Sequence, residues 1–245
     1  MSATTSVLIR SSIAASLLAM QAHGAILASY EFTGTSLDAT TAHPDLIASA
    51  LAVGVDGTEL GVFANNQGHG ISGGTVIANT SPASASAPTF YVVGTNTTTT
   101  AAGSVTANDF VHFTINVANG LQGTLSSLTF DYTTNGNTSG TNTSTFFLRS
   151  SVDGYTNDIG SSASVSYFSN NLLNNPYLRH TVDLSSFSPV EDDITFRLYI
   201  YQTGGTGNVT RFDNLTLNGD VIPEPATCVL AGLGLFAALG RRRRA

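Results

Sequence analysis

The sequence predicts an all-β fold, an antiparallel jelly-roll-like sandwich of about ten strands. Runs of alternating apolar and polar residues recur along the chain, the period-two pattern of a strand with one buried face. Pairs tolerant of positive φ punctuate those runs, at Asp56-Gly57, Asn119-Gly120, Asn135-Gly136, Asp153-Gly154, Gly204-Gly205 and Asn218-Gly219. Between the two ends, no stretch keeps a 3.6-residue apolar stripe through three helical turns. Many short strands separated by such turns build a sandwich rather than a parallel sheet.

At the N-terminus, Arg10 precedes the apolar run 13–20, and Gln21-Ala22-His23-Gly24 follows. A cationic start, a short apolar stretch and a small-x-small site make a secretory signal peptide over 1–24. Ala22 and Gly24 fit the −3 and −1 positions, with Ala25 as the alternative −1 residue. The run falls short of the ~20 residues that a spanning helix needs. The body, 25–218, then opens with strand candidates at 26–33, 46–55, 75–78 and 89–94. The stretch 79–108, rich in Ser, Thr, Ala and Asn, reads as long loops around the strand at 89–94.

The clearest alternation comes next. Over 109–117, Val111, Phe113, Ile115 and Val117 face one way and His112, Thr114 and Asn116 the other. Over 128–132, Leu128, Phe130 and Tyr132 share a face. Over 194–201, Ile194, Phe196, Leu198 and Ile200 form the inner face and leave Arg197, Tyr199 and Tyr201 outside. Less regular candidates complete the set at 143–152, 163–168, 178–184 and 209–217. No internal repeat or Pro-rich linker divides the body, so one domain is expected, followed by a short connector at 219–225.

The C-terminus carries three features in order. Pro223-Glu224-Pro225 leads into fifteen uncharged residues, 226–240, and then Arg241, Arg242, Arg243 and Arg244 before Ala245. As a helix, 226–240 would be about 22 Å long, against about 30 Å of hydrocarbon. Bilayer thinning and snorkelling of the arginines close that gap. Arginines stay cytoplasmic by the positive-inside rule, so 241–245 is a basic cytoplasmic tail and the body lies across the inner membrane, as the signal peptide also requires. An ordinary C-terminal anchor needs only the same hydropathy and is the competing reading.

The order Pro-Glu-Pro, short apolar helix and terminal arginine cluster, from Pro223 to Ala245, resembles the PEP-CTERM sorting signal. The resemblance implies an exosortase, a membrane-embedded transpeptidase-like enzyme, as the partner that processes the chain near the tripeptide. It implies a transiently membrane-anchored protein whose destination is the cell surface or extracellular matrix. It says little about the body. There, 146–155, Leu184 and 211–219 resemble the β-sandwich ectodomains found upstream of PEP-CTERM tails, and the closing strand is similar to those of carbohydrate-binding jelly rolls.

Charge narrows the functions. The whole chain carries −7. Without its two ends it keeps Arg149, Arg179, Arg197 and Arg211 against fifteen carboxylates, a net charge of −11 with no lysine. Such a body repels nucleic acid and anionic lipid. The single cysteine, Cys228, lies in the apolar tail, where it reads as a small filler rather than an acylation site, and the body holds no disulfide.

Searches for chemistry return little. Glu31, Glu59 and Glu191 stand in unrelated contexts, and Glu191-Asp192-Asp193 reads as a solvated turn rather than half of a glycosidase pair. No Gly-x-Ser-x-Gly elbow occurs, and His43, His69, His112 and His180 lack zinc-site spacing. The glycine-rich stretch 68–74 has no lysine to complete a phosphate cradle. Asp153, Asp158 and Asp213 are oxygen ligands that calcium could use, although a plain hairpin turn explains Asp153-Gly154 better. Outward-facing Arg197, Tyr199 and Tyr201 could contact a glycan, unless that face packs against another part of the chain. Asn79, Asn96, Asn137, Asn142, Asn208 and Asn214 open Asn-x-Ser/Thr triplets, in a composition where chance supplies many. No cofactor is expected. The sequence therefore points to a non-catalytic exported envelope or matrix protein associated with exopolysaccharide. A carbohydrate-binding module is the alternative, and a polysaccharide-degrading enzyme the third reading.

Overall fold

The computed structural model describes residues 25–31, 37–54, 60–65, 89–94, 98–134, 140–167, 177–187, 189–204 and 208–224. In chain order the strands are β1 (Ala25–Tyr30), β2 (Thr41–Ala42), β3 (Leu46–Ala48), β4 (Ala52–Val53), β5 (Leu60–Asn65) and β6 (Thr89–Gly94). Helix α1 (Ala101–Ala107) follows. Then come β7 (Phe110–Val117), β8 (Leu121–Thr134), β9 (Asn142–Ser150), β10 (Ile159–Tyr167), β11 (Leu178–Asp183), β12 (Ile194–Thr203) and β13 (Asn208–Pro223). The signal-peptide segment, the strand expected at 75–78 and everything from Pro225 onward lie outside the described residues.

Period-two alternation decides which face of each strand is buried. Val111, Phe113, Ile115 and Val117 of β7, Leu128, Phe130 and Tyr132 of β8, and Ile194, Phe196, Leu198 and Ile200 of β12 all enter one core, as their spacing predicts. Antiparallel pairing sets β1-β13-β8-β11 in one sheet and β7-β12-β9-β10 in the other. From β7 to β13 the chain crosses repeatedly between the two layers, the jelly-roll path. Short strands extend the edges: β2 beside β1, β3 and β4 beside β7, and β6 with β5 beside the start of β13. Aromatic rings lock the layers, with Phe130 of β8 and Phe146 of β9 at 5.6 Å and Tyr132 and Phe146 at 5.3 Å.

Three elements depart from the sequence reading. Strand β8 begins at Leu121, seven residues before the run at 128–132, because Leu125 and Leu128 both point inward. A register shift opposite Asn218 and Gly219 absorbs the extra residue, a bulge that breaks the period. Helix α1 forms inside the stretch read as loops. Thr100 caps it by accepting from the Gly103 N–H at 3.1 Å, and Asn108 ends it in the left-handed conformation at φ 59°. At seven residues it is too short to show a stripe. The third departure is β13, which runs through the segment expected to be a connector.

Candidate functional site

Leu217 and Val221 of β13 both point toward the core, so alternation carries the strand past Asn218-Gly219 to Pro223. That pair is strand rather than turn and faces the bulge in β8, and only glycine fits at its second position, since a Cβ on Gly219 would collide with the Thr124 carbonyl oxygen. The expected connector at 219–225 is therefore strand as far as Pro223. Asp220, Val221, Ile222 and Pro223 pair with Thr124, Gly123, Gln122 and Leu121, and among the described residues they pair with β8 alone. The Glu224 N–H then donates to the Gly120 carbonyl at 3.1 Å. Behind them, Gly123 exchanges backbone bonds of 2.7 and 2.8 Å with Val190. The tripeptide thus starts on the last rung of a sheet. Ala25 pairs with Gly219, so β1 starts and β13 finishes at the same end of the sandwich. Pro225 and Arg241, Arg242, Arg243 and Arg244 lie outside the described residues.

The expected glycan face is only partly open. Arg197, Tyr199 and Tyr201 do lie on the outer face of their sheet, but Tyr199 is 1% exposed. It stacks on Phe147 at 5.0 Å and meets Phe110 edge-on at 5.1 Å, with Ala101 and Val105 of α1 packed over the group. Tyr199 is closed to a glycan because α1 packs over this part of the outer sheet face. Arg197 is held between rings, 4.4 Å from the centroid of Phe110 and 3.5 Å from that of Tyr155. Tyr155 itself sits at φ 62°, a rare backbone for an aromatic residue. Its N–H donates to the Ser150 carbonyl and its carbonyl accepts from Arg149 Nη1, both at 2.9 Å. Tyr155 and Tyr201 remain half-buried.

The three calcium candidates do not converge. The Asp153 carboxylate accepts from the N–H of Thr156 and from the N–H and side-chain amide of Asn157, closing its own turn. Those bonds hold its carboxyl below the ordinary carboxylate range. Asp158 takes a 2.6 Å ion pair from Arg149 Nε. Asp213 is buried on the opposite sheet, in register with Asp131. Among the described residues no three His, Cys, Asp or Glu side chains gather as a metal site.

Asp131 is a residue that sequence reasoning missed. It is fully buried and takes two bonds from Arg179, at 2.8 and 2.7 Å, plus one from Asn214 at 3.0 Å. The carboxylate raises the Arg179 pKa above its ordinary value. Nothing in the 128–132 alternation distinguishes this outward-facing carboxylate from a solvated one. Two of the Asn-x-Ser/Thr triplets are also disposed of. Asn142 is buried, and Asn214 is bonded to Asp131, so neither asparagine is open to a glycosylating enzyme. The acidic loop 191–193 is exposed, as expected, and borders a cleft of about 350 Å³ with Ser151, Val152 and Pro189.

Residues 221–244 match the family described as the PEP-CTERM protein-sorting motif. The chain carries this motif at its C-terminus. A PEP-CTERM motif marks an exported cell-surface protein processed by an exosortase. Here its first residues are also the last residues of the sandwich, since 221–223 belong to β13.

No curated protein matches the chain in sequence. Among solved structures, the K3 cleaved adhesin domain of Lys-gingipain from Porphyromonas gingivalis is similar at 9% identity and TM-score 0.40, over 79% of this chain and 98% of that domain. A carbohydrate-binding module with specific mannan recognition gives 10% and 0.36, over 80% and 98%. A xylan-binding domain from Paenibacillus barcinonensis gives 10% and 0.35, over 80% and 95%. These likenesses are loose, and the jelly-roll assignment rests on the chain's own strand pairing.

Proposed function

We propose that this protein is a non-catalytic component of the cell envelope or extracellular matrix. Its signal peptide directs export, 226–240 holds it in the inner membrane, and an exosortase processes it near Pro223-Glu224-Pro225. The observation that carries the reading is the sorting-motif match at 221–244, which begins on the folded body. The acidic sandwich then works among exopolysaccharide, and its net charge favours neutral chains over anionic ones.

The mass of the mature protein from its host tests this. Loss of the first ~24 residues and of everything beyond about Pro223 is the expected result. An intact arginine end in the mature membrane-bound form would make the tail a permanent anchor.

One observation favours a carbohydrate-binding reading as the second. Tyr155 is held in a left-handed backbone with its half-buried ring on Arg197, and half-buried Tyr201 lies on the same sheet face four residues along β12, aromatic and guanidinium groups suited to a sugar face. Binding to a neutral glycan that vanishes in Tyr155→Ala and Tyr201→Ala would establish it. Binding unaffected by both substitutions would remove it.

A further inference from the structure

We infer that the membrane-held form of the protein stands end-on, with the tail-bearing end of the sandwich seated in the bilayer interface rather than swinging on a linker. This rests on the reading of 226–240 as the membrane segment. The tether has no slack: Glu224 is bonded to the Gly120 carbonyl, and the apolar run starts at Ala226. A single residue lies between them, and one residue spans at most about 3.6 Å. Whatever surrounds Gly120 and Glu224 is therefore placed at the membrane surface.

What surrounds them is apolar at the rim. Among the described residues five large hydrophobic side chains are exposed: Ile47 at 73%, Val152 at 64% and Ile222 at 40% belong to this end, and Ile26 at 46% lies about 16 Å further along the sheet, opposite Asn218. Ile26 and Ile222 lie on the outer face of one sheet, near the start of β1 and the finish of β13. Ile47 lies on the outer face of the other sheet, opposite Asn116, and Val152 caps the turn after β9. They flank the end on both sides, where a domain standing upright would dip its edge into the headgroup region. The fifth, Leu178, pairs with Tyr132 toward the opposite end of β8, about 36 Å from Leu121 at 3.3 Å per residue.

Charge does not hold this end down. Asp45, Glu191, Asp192 and Asp193 are exposed there, and carboxylates are repelled by anionic lipid. The short tether supplies the proximity and the apolar rim supplies the contact, so cutting near the tripeptide releases the whole domain. The opposite end, with the β8–β9 and β12–β13 connections, points away from the membrane.

The test uses the full chain carrying Cys228→Ser, inserted in vesicles of phosphatidylethanolamine and phosphatidylglycerol. Single cysteines at Ile47, Val152, Ile222 or Leu178 carry an environment-sensitive fluorophore, quenched by lipids bearing a nitroxide at the headgroup. Quenching several-fold stronger at the first three positions than at Leu178 is the expected result. Equal quenching at all four, in protein that resists a carbonate wash, overturns the end-on seat while leaving the membrane segment intact. Quenching at the first three that grows with protein density at fixed lipid assigns the rim to contacts between copies and also overturns it. Protein removed by the wash overturns the membrane segment and the seat together.

Discussion

The two ends of the sandwich invert the usual distribution of polarity in different ways. At the tail-bearing end the interior is apolar, with Leu27, Leu125, Val117, Val190 and Ile194 buried, and apolar side chains continue onto the outer rim. At the opposite end the interior itself turns polar. Thr134, Asn142, Ser144, Gln202 and Thr210 are at most 2% exposed and are bonded mainly to one another across the two sheets. Asn142 Nδ2 donates to Thr134 Oγ1 at 2.7 Å, Ser144 Oγ donates to the same oxygen at 2.8 Å, and Ser144 meets Thr210 at 2.6 Å. The Gln202 side-chain amide bonds to Thr210 and Ser144, while its Oε1 finds no partner among the described residues. The difference teaches where stability and contact reside. One end gains from burial and offers apolar surface outward, whereas the other holds its layers together by directional bonds that roughly balance their own desolvation.

That comparison can be broken in several places. The largest effect is expected at the tail-bearing end. Gln122 and Ile222 are directly opposed on the outer face, so Gln122→Cys with Ile222→Cys, in a Cys228→Ser chain, should close a disulfide across the last rungs. An extended peptide must leave the sheet to enter a transpeptidase-like site. Pulse-labelling should then show processing nearly stopped under oxidising conditions and restored by reductant. Unchanged processing would mean that the motif is read while still paired.

Next in size is the contrast in stability. Leu27→Ala, at a fully buried apolar position, should cost about 2–5 kcal/mol in denaturant unfolding. Thr134→Val keeps the shape but leaves two buried donors without their acceptor, for about 1–3 kcal/mol. A Thr134→Val cost above that of Leu27→Ala would reverse the assignment of stability to the apolar end.

The smallest effect is acid sensitivity. Asp153 lies at the tail-bearing end and Asp183 at the end of β11 nearer to it, and hydrogen bonds hold both carboxyls below the ordinary carboxylate range. A carboxyl lowered on folding contributes stability that is complete above its unfolded pKa and disappears as pH falls through the lower folded value. Protection from amide exchange, relative to the intrinsic rate at each pH, should therefore fall at Thr156, Asn157 and Ser185 as pH drops below about 4, with Thr134 and Ser144 unaffected. Equal loss of protection at both ends would instead indicate global acid unfolding.

Much of the fold was legible because its signal is local. The inward faces of 109–117, 128–132 and 194–201 follow from alternation alone, and every residue placed on them is buried. What escaped depended on partners elsewhere in the chain. Asn218-Gly219 has the composition of a turn, yet it is paired strand opposite a bulge in β8, with Gly219 close against the Thr124 carbonyl, in a strand that continues to Pro223. Alternation places Tyr199 on the correct sheet face, but its exposure depends on α1, whose seven residues carry no helical stripe. Asp153, Asp158 and Asp213 have ligand chemistry, and folding sends them to a turn, an ion pair and the opposite sheet.

The sequence by itself determined the strand faces, the turns at Asn119-Gly120 and Asp153-Gly154 and the chemistry of the C-terminal motif, because side-chain direction, positive-φ tolerance and a run of arginines after an apolar stretch are properties of neighbours in the chain. Only the tertiary structure decided that the motif starts on a paired strand, that Ala25 and Gly219 share a rung, and that exposed apolar residues of β3, the turn after β9 and β13 flank one end. Those are contacts between residues far apart in sequence, and no local period encodes which distant strand a residue will face.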